Sequence, residues 1–78
     1  MTDETGMMST GERLIYMANQ IARNLAAEGS EQAAAMVADH ICHFWDPEMR
    51  RRILLLAQES PDALSPIAAA AIGRIAAV

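Results

Sequence analysis

Three helix-start signals along this chain constrain its fold more than any other feature. Ser9 is followed three residues later by Glu12, the pattern of a capping box, in which each side chain binds the other residue's backbone N–H. Asp46-Pro47 and Ser65-Pro66 each place a capping residue directly before proline, which is favoured at the first position of a helix. The sequence therefore predicts helices that begin near residues 10, 47 and 66.

The spacing of apolar residues indicates how far these three helices extend and predicts a fourth helix. Apolar side chains recur at steps of three and four residues, and no segment has the strict alternation of a half-buried strand. Gly29 is predicted to end the first helix in a left-handed conformation, and Ser30 to cap the second. We therefore predict an all-α fold, a small bundle of three to four short helices, with helices over 10–27 and 31–44, one from 47, and one of about ten residues from 66.

Each predicted helix carries an apolar stripe that would face a common core. The residues expected to face inward are Leu14, Ala18, Ile21 and Leu25; Ala33, Val37, His40, Ile41 and Phe44; Met49, Ile53, Leu56 and Ala57; and Ile67, Ala71, Arg74, Ile75 and Val78. Three successive leucines follow Ile53, so part of the third helix is expected to present apolar surface outward.

The first eight residues are polar in pattern and lack periodicity. We predict that 1–8 form a flexible N-terminal tail and that 9–78 form a single helical domain. A chain of 78 residues buries only about 60% of its unfolded surface, so its core is marginal. Cys42 is the sole cysteine, which excludes an internal disulfide. Association with a partner is the remaining source of stability.

Charge and hydropathy limit the kinds of partner that this chain is expected to bind. The formal net charge is −4 and there is no lysine, which opposes binding to nucleic acid through phosphate neutralisation. No apolar run approaches the roughly 18 residues of a membrane span, and the N-terminal residues lack the order of a signal peptide. We therefore expect a cytoplasmic protein with neither a nucleic-acid nor a membrane partner.

Catalytic and metal-binding constellations are weak in this sequence. His40 and His43 would share one helix face while Cys42 points elsewhere, so at most two ligands converge. No nucleophile lies beside an oriented base, and no glycine-rich phosphate loop is present. We predict no catalytic residues, no metal site and no independent enzyme activity.

The only Phe and the only Trp stand together, as Phe44-Trp45, directly before Asp46-Pro47. Two adjacent aromatics at this point form either a core plug between two helices or the anchor of a docking surface. We expect Phe44 to point inward and Trp45 outward. The basic cluster Arg50-Arg51-Arg52 follows, as either a solvated helix face or a contact for an acidic partner.

The segment from Phe44 to Arg50, the approach to it from His40, and the run Met17-Ala18-Asn19-Gln20-Ile21-Ala22 carry a family resemblance. Over roughly residues 12 to 75, the chain resembles the delta subunit of NAD-dependent, molybdenum- or tungsten-containing formate dehydrogenases. The resemblance implies a complex that oxidises formate on a molybdopterin centre and passes electrons through iron-sulfur clusters and FMN to NAD, with all of these cofactors in partner subunits.

The resemblance also implies a role for this chain. It would be a non-catalytic subunit that docks on the catalytic large subunit and either stabilises it or assists insertion of the molybdopterin cofactor. The candidate partner-binding residues are Phe44, Trp45, Asp46, Pro47, Met49, Arg50 and Asn19. Two alternatives remain open at this point: a transient assembly chaperone that leaves the mature complex, and a small helix-turn-helix regulator that reads DNA with the arginine-rich helix.

Overall fold

Four α-helices make up most of the computed structural model, which describes residues 9–77. They are α1 (Thr10–Leu25), α2 (Ser30–Phe44), α3 (Pro47–Glu59) and α4 (Pro66–Ala76). Short 3-10 turns, Ala26–Glu28 and Pro61–Ala63, lie in the first and third connections. Residues 9–77 contain no strand, so the predicted all-α bundle is confirmed. The predicted tail, 1–8, lies outside the described residues.

The three predicted helix starts are confirmed in atomic detail. At α1, the Ser9 hydroxyl accepts from the Glu12 N–H at 3.1 Å, while the Glu12 carboxylate accepts from the Ser9 N–H at 2.9 Å. Asp46 accepts from the N–H of Met49 at 2.9 Å, and the Ser65 hydroxyl accepts from the N–H of Ala68 at 3.3 Å. These local bonds satisfy backbone donors that the first helical turn leaves unpaired.

The connection between α1 and α2 differs from its prediction. Gly29 has a positive φ of 97°, but its ψ of 147° is extended rather than left-handed helical. Its carbonyl accepts from the Ala33 N–H at 2.7 Å, which makes Gly29 itself the cap of α2. Ser30 is consequently the first helical residue and not the cap. The prediction was wrong because the 3-10 turn already ends α1 before the glycine redirects the chain.

One hydrophobic core contains side chains from all four helices and from both of the later connections. Its buried members are Leu14, Ala18, Ala22, Val37, Ala38, Ile41, Trp45, Ile53, Leu64, Ala68, Ala71 and Ile72. Most predicted inward stripes are therefore confirmed in their central residues. Ile21, Leu25, Met49, Leu56, Ala57, Ile67 and Ile75 are partly buried and pack against the rim of this core.

The inward face of α4 was assigned incorrectly in part. Arg74 is exposed, Ile72 is buried, and Val78 lies outside the described residues. The helix packs most extensively against α2, and the buried faces of both helices are rich in alanine. Small side chains allow two helix axes to approach closely. This approach turns Ala68, Ala71 and Ile72 towards the core and leaves the Arg74 side of α4 in solvent.

No helix within residues 9–77 combines the length and the apolar character that crossing a bilayer requires.

Candidate partner-binding surface

At the junction of α2 and α3, one of the two adjacent aromatic side chains is buried and the other is exposed. Trp45 is only 4% exposed and belongs to the hydrophobic core, whereas Phe44 is 75% exposed. The predicted orientation, with Phe44 inward and Trp45 outward, was therefore wrong. Because α2 ends at Phe44 and Trp45 is extended, with φ −91° and ψ 140°, the chain turns at the tryptophan and returns the indole to the core.

Arg50 closes this turn from the first part of α3. Its guanidinium donates to the carbonyl of Trp45, and more weakly to the carbonyl of Cys42 at 3.4 Å. Both carbonyls lie at the C-terminal end of α2, where unpaired oxygens carry the negative end of the helix dipole. Arg50 therefore serves as a cationic cap of α2 inside this chain.

The other residues predicted in this connection also have internal contacts. Asp46 caps α3 through the N–H of Met49, Pro47 occupies the first helical position, and the Met49 side chain packs against the core. Each of these contacts explains the residue type at its position by local folding alone. Asp46 and Pro47 are also exposed, but among the predicted residues between 44 and 50 Phe44 is the one large apolar side chain that lies mainly in solvent.

Phe44 borders a shallow groove along α2. The groove has a volume of about 360 Å³ and is lined by Leu25, Met36, Asp39, His40, His43 and Phe44, hereafter the Phe44 groove. The Phe44 ring lies against the His40 ring, with centroids 4.8 Å apart and planes tilted by 41°. Such a tilted contact is a favoured aromatic geometry. The contact favours this orientation of the phenyl ring, most of whose surface is exposed.

Asn19 lies away from this connection and binds the chain segment that precedes α4. Its Nδ2 donates to the Ala63 carbonyl at 2.9 Å, and its Oδ1 accepts from the Ser65 N–H at 2.8 Å. The amide thus uses both of its ends on backbone of the same chain. The predicted site residues therefore divide into two places, the α2–α3 connection and the contact between α1 and the segment before α4.

A second groove, which sequence reasoning missed, runs between α3 and α4. It has a volume of about 400 Å³ and is lined by Leu54, Ala57, Gln58, Pro61, Leu64, Ala69, Ile72, Gly73 and Ala76, hereafter the α3–α4 groove. The only signal for it in the sequence is the spacing of small residues at 69, 73 and 76. The predicted outward apolar surface of α3 is confirmed by Leu55, which is 49% exposed.

The arginine cluster has three different environments. Arg50 caps α2, Arg51 forms an ion pair with Glu48 one helical turn earlier, and Arg52 is exposed. Consecutive residues point about 100° apart on a helix, so the three guanidinium groups cannot serve one contact. The Arg51–Glu48 pair lies in solvent, where such pairs contribute little to stability.

His40, Cys42 and His43 do not converge on a common point. The His43 Nδ1 lies 2.8 Å from the Asp39 carbonyl and donates to it within α2, and Cys42 is exposed. Across residues 9–77, no group of three or more His, Cys, Asp or Glu side chains is arranged to hold a metal ion.

Most of the chain matches the model of a known protein family. The family model of the NADH-dependent formate dehydrogenase delta subunit, FdsD, matches residues 13–72, which extend from the first turn of α1 to the second half of α4. The match includes Asn19, the α2–α3 connection and most of the α3–α4 groove. No curated protein and no solved structure matches the chain. The chain belongs to the family of NADH-dependent formate dehydrogenase delta subunits.

Proposed function

We propose that this chain is a non-catalytic subunit of a formate dehydrogenase complex and that it docks on the catalytic large subunit through the Phe44 groove. The observation that carries the proposal is the 75% exposure of Phe44, the only phenylalanine of the chain, beside a shallow groove. The family membership is the reason for proposing a formate dehydrogenase complex, and the exposed Phe44 is the reason for proposing this surface as the contact.

Burial of Phe44 against a partner is energetically favourable. Complete transfer of a Phe side chain from water stabilises by roughly 1.5 to 3 kcal/mol, and most of this gain is still available because the ring is mainly in solvent. Aromatic residues that fill a partner's pocket commonly dominate binding energy. His40 restrains the ring, so less conformational freedom is lost when the partner binds.

The surroundings of Phe44 suit a protein partner. Met36 and Leu25 provide half-buried apolar surface beside the ring, and methionine adapts its shape readily to an opposing side chain. Asp39 and His43 provide a polar rim. An apolar centre within a polar rim is the usual arrangement of a protein interface.

The chemistry of the complex is assigned to the partner subunits. An iron-sulfur cluster is generally held by four cysteine thiolates, and this chain has one cysteine. The chain would therefore act on the large subunit by binding alone, stabilising its folded form or holding it open for insertion of the molybdopterin cofactor. A protein that binds only the folded state of its partner stabilises that state by mass action.

The direct test is co-expression of the full set of subunits with either Phe44→Ala or Tyr16→Ala in this chain. Tyr16 is the matched control, since it is an aromatic with 53% exposure that does not line the Phe44 groove. We expect Phe44→Ala to reduce the amount of this chain recovered on a tagged large subunit by at least tenfold, with Tyr16→Ala near the wild type. Equal recovery of both variants would exclude docking through Phe44.

Stoichiometry distinguishes a lasting subunit from a transient assembly chaperone. We expect native mass spectrometry of the mature enzyme to show this chain in equal copy number with the large subunit. Its absence from active, cofactor-loaded enzyme, together with its presence on the cofactor-free large subunit, would assign it to assembly instead.

A further inference from the structure

We propose that docking through the Phe44 groove is regulated by pH, because a proton on His40 opposes burial of the groove against the large subunit. The proposal rests on the proposed function, since it names the regulation of the same site. Histidine is the side chain whose charge ordinarily changes between pH 5 and 8. The chain has two histidines, His40 and His43, and both line the Phe44 groove. Every imidazole of the chain therefore lies at the proposed contact.

His40 is part of the surface that a partner would cover. Its side chain is half-buried, and its ring lies against the exposed Phe44 ring with centroids 4.8 Å apart. A partner that buries Phe44 therefore removes water from the His40 ring as well. Burial disfavours the charged form of an ionisable side chain, because an apolar surface solvates the charge less well than water does. A neutral His40 can be buried together with Phe44, whereas a protonated His40 opposes that burial.

His43 occupies a different position in the groove. Its side chain is exposed, and its Nδ1 donates to the Asp39 carbonyl of the same helix at 2.8 Å. A proton on the other ring nitrogen of His43 would lie in the polar rim, where water remains within reach. His40 is therefore the histidine whose charge should control docking.

The charged groups on the surrounding elements do not offset a proton on His40. Of the described residues that line the groove, Asp39 alone carries a carboxylate, and as the preceding residue on α2 it points about 100° away from His40. Asp39 also lines an adjoining hollow of about 510 Å³ that contains Arg74 of α4. From α3, the Arg50 guanidinium reaches the C-terminal end of α2, and α1 contributes the apolar Leu25. The neighbouring helices thus bring positive or apolar groups to this region.

Proton binding and docking must oppose each other to the same extent, because the coupling between two binding events is reciprocal. One proton released on docking weakens the contact by at most about tenfold for each unit of decrease in pH. Changes in affinity at a given interface are expressed mainly in the rate of dissociation. We therefore expect release of this chain from the complex to be roughly fivefold faster at pH 5.5 than at pH 8.

The test uses the assembled complex. All subunits are co-expressed, the complex is captured at pH 8 through a tag on the large subunit, and release of this chain is timed at pH 8 and pH 5.5 at constant ionic strength. The variants are His40→Gln, which is polar and uncharged, and His40→Phe, which keeps a ring against Phe44. His43→Gln is the matched control, since it removes the other imidazole of the groove. We expect faster release at pH 5.5 for the wild type and for His43→Gln, and less than about a twofold change for both His40 variants.

The possible outcomes separate this proposal from the proposed function. If the wild-type chain is not captured with the large subunit at pH 8, the proposed function fails. If it is captured, the regulation alone is overturned by release that is equally fast or slower at pH 5.5, or by the same acceleration in the His40 variants. Loss of the pH response in His43→Gln would overturn the assignment to His40, as would failure of both His40 variants to be captured at pH 8. Loss of the helical circular dichroism signal of the full-length chain at pH 5.5 would also overturn it, because release would then follow unfolding.

Discussion

The side chain of Asn19, on α1, accepts a hydrogen bond from the backbone N–H of Ser65, the capping residue of α4, at 2.8 Å. The same amide donates to the Ala63 carbonyl at 2.9 Å, so one side chain binds the backbone on both sides of Leu64. This contact ties the first helix to the start of the last. It gives Asn19 a structural role independent of any partner, although the residue is part of the family resemblance.

Replacement of Asn19 by alanine should destabilise the isolated chain. Two hydrogen bonds are lost, each with a net contribution of about 0.5 to 1.5 kcal/mol, so we expect a decrease of roughly 1 to 3 kcal/mol in the free energy of unfolding. Urea denaturation followed by circular dichroism measures it. Asn24→Ala is the control, because Asn24 is exposed on the same helix. Equal denaturation midpoints for the two variants would contradict the role assigned to Asn19.

Trp45→Ala and Phe44→Ala should have opposite profiles in stability and binding. Truncation of the buried indole is expected to cost about 3 to 5 kcal/mol, enough to unfold a chain with a marginal core. Truncation of Phe44 should change the free energy of unfolding by no more than about 0.5 kcal/mol. Circular dichroism of the purified variants measures both effects. A folded Trp45→Ala variant with wild-type stability would show that the indole is not part of the core.

The local features of this fold could be predicted from the sequence. Contacts between residues that are far apart in the sequence could not. The caps at Ser9, Asp46 and Ser65 act within three residues, so composition and spacing reveal them. The partners of Asn19 lie 44 and 46 residues away, and no periodicity indicates them.

The orientation of the aromatic pair depends on a single residue at a helix end. Because α2 ends at Phe44, Trp45 has an extended backbone, and helical spacing does not predict the directions in which the two aromatic side chains point. Helix ends are the least certain part of a pattern-based prediction. The α3–α4 groove likewise depends on how two helices cross, which their separate sequences do not specify. Family resemblance identified the complex without revealing either arrangement.

Arg50→Ala should destabilise the chain by about 1 kcal/mol, through loss of the cationic cap on α2. Arg51→Ala is the matched control, because its ion pair with Glu48 is exposed and we expect a change below about 0.5 kcal/mol. Thermal melts of the two variants at low salt and at 1 M salt would compare their stabilities. The two arginines would have to be reinterpreted if Arg51→Ala proved the more destabilising replacement.

The same replacement, glycine to alanine, should have opposite effects at positions 73 and 29. At Gly73 a methyl group meets no atom within 4 Å, so the higher helix propensity of alanine should stabilise the chain by up to about 1 kcal/mol. At Gly29 the φ of 97° is unfavourable for any residue with a Cβ, and alanine should destabilise by about 1 kcal/mol or more. Urea midpoints of the two variants, measured against the wild type, should therefore move in opposite directions. A lower midpoint for the variant at position 73 would show that a methyl group there disturbs packing within the chain, contrary to the open space around Gly73.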